Sequence, residues 1–140
     1  MTESDLKKYR QYLRARTLAL AALEEYEPRV YGARTTRITP LPASRAVDSD
    51  RLAFTVERLD KLRERVERLN NLVEEAEELV LYVATLLDTY TERDVLIYRY
   101  YMGLSVSDTA KRMGCSRRSI YNYRADILDK IKNITYIIPI

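Results

Sequence analysis

SVSDTAKRMGCSRRSIYNYR, residues 105–124, packs two helix starts, one helix stop and a set of arginines into twenty positions. Ser105 followed three residues later by Asp108 resembles a capping box, in which short polar side chains satisfy backbone N–H groups left free by the first turn. Gly114 is the stop: glycine takes the left-handed conformation at no steric cost, so the chain turns within about three or four residues. Ser116 then caps a second helix. Ala110, Gly114 and Ile120 stand where a helix-turn-helix needs a small residue at the crossing, a permissive turn and a buried aliphatic, and Met113, Cys115 and Tyr123 complete the inner face.

The outer face of the second helix keeps Arg117, Arg118, Tyr121, Asn122 and Arg124. Arginine pairs bidentately with guanine and asparagine with adenine, and the first turn of a recognition helix enters the major groove. The expected partner is double-stranded DNA, with Arg117, Arg118, Tyr121 and Asn122 at base edges or the adjacent backbone, and with Ser116, Ser119, Arg124, Lys111 and Arg112 at phosphates. The competing reading is a three-helix scaffold with a solvated basic face.

Composition sets the frame. The 140 residues carry a formal net charge of +3, distributed unevenly: the last fifty hold 9 Lys and Arg against 5 Asp and Glu, whereas residues 51–90 hold 6 against 9. A surplus this mild implies that affinity for DNA depends on dimerisation or a partner as well as on charge. One cysteine and no histidine leave no disulfide framework, no expected metal site or cofactor, and no His-based catalysis. Glu74, Glu75, Glu77 and Glu78 are spaced as a solvated helix face, with no Gly-rich phosphate loop to accompany them, so no enzyme is expected. No stretch is apolar enough to span a membrane and no signal-peptide core is present, which places the expected protein in the cytoplasm.

Outward from the motif, residues 3–27 read as an amphipathic helix with Leu6, Tyr9, Leu13, Leu20 and Leu23 on one face, interrupted by Arg16. Residues 28–50, with Pro28, Gly32, Pro40 and Pro42, read as a flexible linker with a basic tint. From 51 to about 88 an apolar heptad runs through Leu52, Leu59, Val66, Val73, Val80 and Leu87, with Thr55, Leu62, Leu69, Ala76 and Val83 at the intervening positions. This seam is either an antiparallel hairpin with helix 3–27 or an oligomer interface formed by Leu52, Leu59, Leu62, Val66, Leu69, Val73 and Val80, and the two coexist in a dimeric four-helix arrangement. Leu72, Leu79 and Leu86 add a second apolar row, so this end packs against more than one neighbour. Thr91 with Asp94 signals a further helix over 92–102 that packs Val95, Leu96, Tyr98 and Met102 and stops at Gly103. The expected fold is therefore all-α: a helical hairpin or coiled coil over 1–90, a three-helix helix-turn-helix domain over 91–133, and an apolar tail at 134–140 that docks on the subunit or a neighbour.

The stretch from Thr91 to Ser105 (TERDVLIYRYYMGLS), followed by Thr109-Ala110 and by Ser116 to Tyr121, resembles region four of bacterial sigma factors. That resemblance implies recognition of promoter DNA at the −35 element, with Arg118 a departure, since sigma factors usually carry an acidic residue there. No domain for the −10 element is visible, so a free-standing sigma factor is not expected. The whole layout looks like the small phage and prophage regulators of the ArpU and RinA type, which implies activation of late, packaging or structural genes; the heptad seam adds the expectation of a homodimer or higher homo-oligomer, and contact with host RNA polymerase stays open. Two other classes stay open: a small terminase-like DNA-packaging subunit, which usually places its DNA-binding unit first, and a structural coiled-coil adaptor.

Overall fold

The computed structural model describes residues 1–32 and 42–134, apart from the side chains of 29–49. Every regular element among the described residues is helical: α1 (Glu3–Gly32), α2 (Pro42–Leu86), α3 (Tyr90–Leu96), α4 (Val106–Met113) and α5 (Arg117–Ile131), with a π-helical turn at Ile97–Tyr101 continuing α3. The fold is all-α and ends in a helix-turn-helix. The linker expected over 28–50 is helical at both of its ends. Pro28 removes one backbone donor yet α1 runs on to Gly32, and Pro42 opens α2 at the first helical position, where a missing N–H is harmless and the fixed φ is already helical. The remainder of that expected linker, 33–41, and the tail beyond Ile134 lie outside the described residues.

The chain forms two compact units, Arg14–Asn70 and Met1–Leu13 with Asn71–Ile140. In the first, α1 and α2 pair antiparallel. Arg16 donates to Asn70 Oδ1 at 3.4 Å, Tyr26 to the Thr55 carbonyl at 3.4 Å, and Arg63 to Glu27 at 2.8 Å. Ala19, Leu59 and Val66 are buried between them, while Leu52, Leu62 and Leu69 are half-buried. Arg16 is thus a bonded residue, and the face it interrupts in the sequence continues through Ala19 in place of Leu20, which is exposed.

In the second unit the remaining seam positions Val73, Ala76, Val80, Val83 and Leu87 are buried in one cluster with Leu6, Tyr9, Val95, Leu96, Tyr100, Ala110, Ile120, Ile127 and Ile131. Of the seam residues expected at an oligomer interface, Leu59, Val66, Val73 and Val80 are therefore buried within a single chain, while Leu52, Leu62 and Leu69 are half-buried. The unit that holds the helix-turn-helix is larger than 91–133, because the first thirteen residues and the last third of α2, from Asn71, contribute to its core.

The helix expected over 92–102 starts two residues earlier and changes pitch. Thr89, extended at φ −107 and ψ 146, accepts from the Glu92 N–H at 3.3 Å, so Thr89 is the cap in place of Thr91. The π turn closes with Met102 donating to the Ile97 carbonyl at 2.8 Å. Its extra residue rotates the following side chains, so Tyr100 is buried and Met102, expected in the core, is exposed.

Candidate nucleic-acid interface

Both helices of the helix-turn-helix are fixed at their N-termini by side-chain hydrogen bonds. Ser105 Oγ accepts from Asp108 N–H at 3.1 Å, and Ser116 Oγ accepts from Ser119 N–H at 3.2 Å. Gly114, at φ 66 and ψ 35, lets its own N–H reach Lys111 and the Cys115 N–H reach Ala110, satisfying two of the last carbonyls of α4. A Cβ at Gly114 would meet nothing within 4 Å, so the demand there is on backbone conformation alone. Gly114→Ala is expected to lower unfolding free energy by about 1–2 kcal/mol, the cost of a left-handed non-glycine residue. An unchanged urea midpoint would contradict that account of the turn.

Ile120, Ile127 and Ile131 anchor one side of α5 in the core, and the opposite side faces solvent. Arg117, Arg118, Tyr121 and Asn122 are all exposed there, and none has a side-chain hydrogen bond or ion pair among the described residues. They occupy the first two turns, where the helix dipole adds positive potential. Further along, the exposed residues are Ala125, Asp126, Asp129 and Lys130, the last of them ion-paired with Glu92 at 2.7 Å. The exposed cations of α5 that have no ion partner among the described residues, Arg117 and Arg118, thus lie at its N-terminal end, and the carboxylates of Asp126 and Asp129 would repel phosphate further along.

Lys111 and Arg112 are exposed in the last turn of α4, the helix that crosses the DNA backbone in such motifs. The Arg112 guanidinium lies 5.9 Å from the centre of the Tyr98 ring, which restrains its position without neutralising it. Ser116 and Ser119 are hydrogen-bonded to each other, their hydroxyls 3.0 Å apart, so their first role is to cap α5.

Arg124 departs from expectation. Its Nε and Nη2 donate to the two carboxylate oxygens of Glu3 at 2.8 and 2.7 Å, and the Tyr100 hydroxyl donates to the same carboxylate at 2.9 Å. An arginine engaged this way is a structural tie and not a free phosphate ligand. The Arg124 guanidinium, helped by Tyr100, holds the Glu3 carboxyl below its usual range against the effect of burial. Burial and the neighbouring Glu3 push the Tyr100 hydroxyl up to about 12.

A second tie joins α3 to α5, with Lys130 donating at 2.7 Å to Glu92, which is buried. The turn before α3 is held by Arg93 Nε donating to the Leu87 carbonyl at 2.8 Å, and the turn before α4 by Arg99 donating to Leu104 at 2.6 Å. Glu3, Tyr100, Glu92 and Lys130 position α5, and no local motif marks them. Glu3 and Arg124 are 121 residues apart.

No helix among the described residues is long and apolar enough to cross a membrane. No match to the chain was found among curated proteins or among solved structures. Residues 89–131, from the Thr89 cap to the buried Ile131, match the family model for sigma-70, region 4. The α3 to α5 segment of this chain is accordingly similar to sigma-70 region 4, a helix-turn-helix of the DNA-binding type.

Proposed function

We propose that this protein is a sequence-specific, double-stranded DNA-binding regulator of transcription, of the phage and prophage ArpU and RinA type, that activates late or packaging genes. The observation that carries the reading is the first half of α5: four side chains able to read bases or grip the backbone, exposed and unpaired, on a helix whose start is fixed by Gly114 and Ser116. The phage assignment rests on the layout, a long Glu- and Arg-rich helix placed before a C-terminal region 4 domain. Self-association belongs to the same reading. With Leu59, Val66, Val73 and Val80 of the seam buried, a second copy pairs through Leu72, Leu79 and Leu86, spaced by seven residues on the outside of α2, together with the exposed Tyr82.

Selection of bound sequences from a random DNA pool tests these points together. The expected result is a defined motif with two-fold symmetry. Arg118→Ala and Asn122→Ala are each expected to relax one position of that motif, with about 1–3 kcal/mol of discrimination lost per position. A motif unchanged by both substitutions would remove α5 from base reading, and an asymmetric single motif would remove the dimer.

A further inference from the structure

We infer that the Arg51 to Arg68 segment of α2 is a second DNA-contacting face, one that grips backbone phosphates without reading sequence. The inference rests on the reading of the chain as a DNA-binding protein, but uses residues remote in sequence from α5. Within this segment the charges are sorted by face. At 3.6 residues per turn, Arg51, Arg58, Lys61, Arg65 and Arg68 fall within an arc of about 100°, while Asp50, Glu57, Asp60, Glu64 and Glu67 occupy the next arc round.

Arg58, Lys61, Arg65 and Arg68 line one cleft of about 430 Å³, floored by Tyr26 and Leu62. Arg65 and Arg68 are exposed and have no ion pair among the described residues. The Arg58 guanidinium lies 5.5 Å from the Phe54 ring, and Lys61 meets Glu57 only at 3.8 Å on an open surface. The one strong pair nearby among the described residues, Arg63 with Glu27 at 2.8 Å, is made by the cation outside the basic arc.

The stripe from Arg51 to Arg68 is about 26 Å long at 1.5 Å per residue. Duplex DNA presents one negative charge per about 1.7 Å of axis, so several phosphates fall within reach of five cations. Charge complementarity identifies a polyanion, and the region 4 domain in the same chain favours DNA over an anionic membrane. The adjoining acidic arc also opposes lying flat on anionic lipid.

The test uses the full chain and a duplex of unrelated sequence, with affinity measured by fluorescence anisotropy as salt is raised. The quadruple variant R58Q/K61Q/R65Q/R68Q is expected to bind this duplex on the order of tenfold or more weakly, with the slope of log affinity against log salt reduced by about 3. Its preference for the selected motif should be unchanged. The variant R58K/R65K/R68K, which keeps the charges, should retain the wild-type slope and so exclude a folding defect as the cause. An unchanged slope in the quadruple variant overturns the inference, as does selective loss of binding to phosphatidylserine vesicles with DNA binding intact. R118A/N122A separates the two readings. If it alone alters DNA recognition, the second face falls and the α5 reading stands; if the wild-type chain binds no DNA, both fall.

Discussion

Deletion of Met1–Leu13 is expected to unfold the helix-turn-helix and abolish DNA binding, although the deleted residues lie outside the region 4 match. Leu6 is fully buried and Tyr9 is 6% exposed in the cluster that also holds Ile120 and Ile127. Tyr9 stacks on Tyr101 with ring centres 5.1 Å apart, and the Met1 amino group donates to the Ile134 carbonyl at 3.0 Å. Truncating one buried leucine or aromatic residue costs about 2–5 kcal/mol, and a whole domain is stable by only about 5–15 kcal/mol. Loss of both, together with Glu3, removes most of that margin. Circular dichroism against temperature provides the measurement: the full chain should melt cooperatively and the deleted chain should show no cooperative transition. A midpoint within a few degrees of the full chain would refute the claim that α1 completes the domain. Leu6→Ala alone should fall between the two, about 2–5 kcal/mol below the full chain.

The division of labour along the chain was legible wherever the deciding interaction is local. Ser105 with Asp108, Gly114 and Ser116 each act within a few residues of themselves, and all three cap or turn as their sequence context implies. The inner face of the motif follows for the same reason, since Ala110 and Ile120 are set by helical spacing. Where two local signals compete, sequence does not decide between them. Thr89 with Glu92 and Thr91 with Asp94 have the same capping spacing two residues apart, and burial of Glu92 against Lys130 favours the first. The π turn at Ile97–Tyr101 has no compositional mark, so the exchange of Met102 for Tyr100 in the core was not readable. Nor does a heptad seam say whose helix covers it. Leu59 and Val66 are covered by α1 in a pairing that becomes evident only from the Tyr26 to Thr55 and Glu27 to Arg63 contacts. Arg124 is the instructive case within the site: its place on α5 fits a phosphate ligand, and only the fold brings Glu3 to it.

Glu3→Ala is expected to cost about 2–4 kcal/mol and to flatten the stability profile at acid pH. The Glu3 carboxylate accepts both ends of the Arg124 guanidinium and the Tyr100 hydroxyl, and its own side chain is 22% exposed. Removing it leaves a partly desolvated guanidinium and a buried hydroxyl without their acceptor, and unpaired groups of this kind dominate such losses. The expected cost sits below the range for fully buried pairs because Arg124 is 31% exposed and water reaches it. The pH dependence follows from the direction in which each group is moved. Arg124 lowers the Glu3 pKa in the folded state, so the stabilisation is complete above the unfolded carboxyl range and is lost as pH falls through the folded value. Tyr100, raised to about 12 first by burial and then by Glu3, contributes stability that is complete below 10 and disappears as pH rises towards 12. The wild-type protein should therefore lose stability at both ends, while the Glu3→Ala variant starts lower and loses less on acidification. Urea denaturation of both proteins between pH 3 and pH 7 makes the comparison, with about 1.4 kcal/mol expected for each tenfold difference in proton affinity between the folded and unfolded chain. Parallel profiles for the two would mean that the Glu3 to Arg124 tie contributes nothing to holding α5 in place.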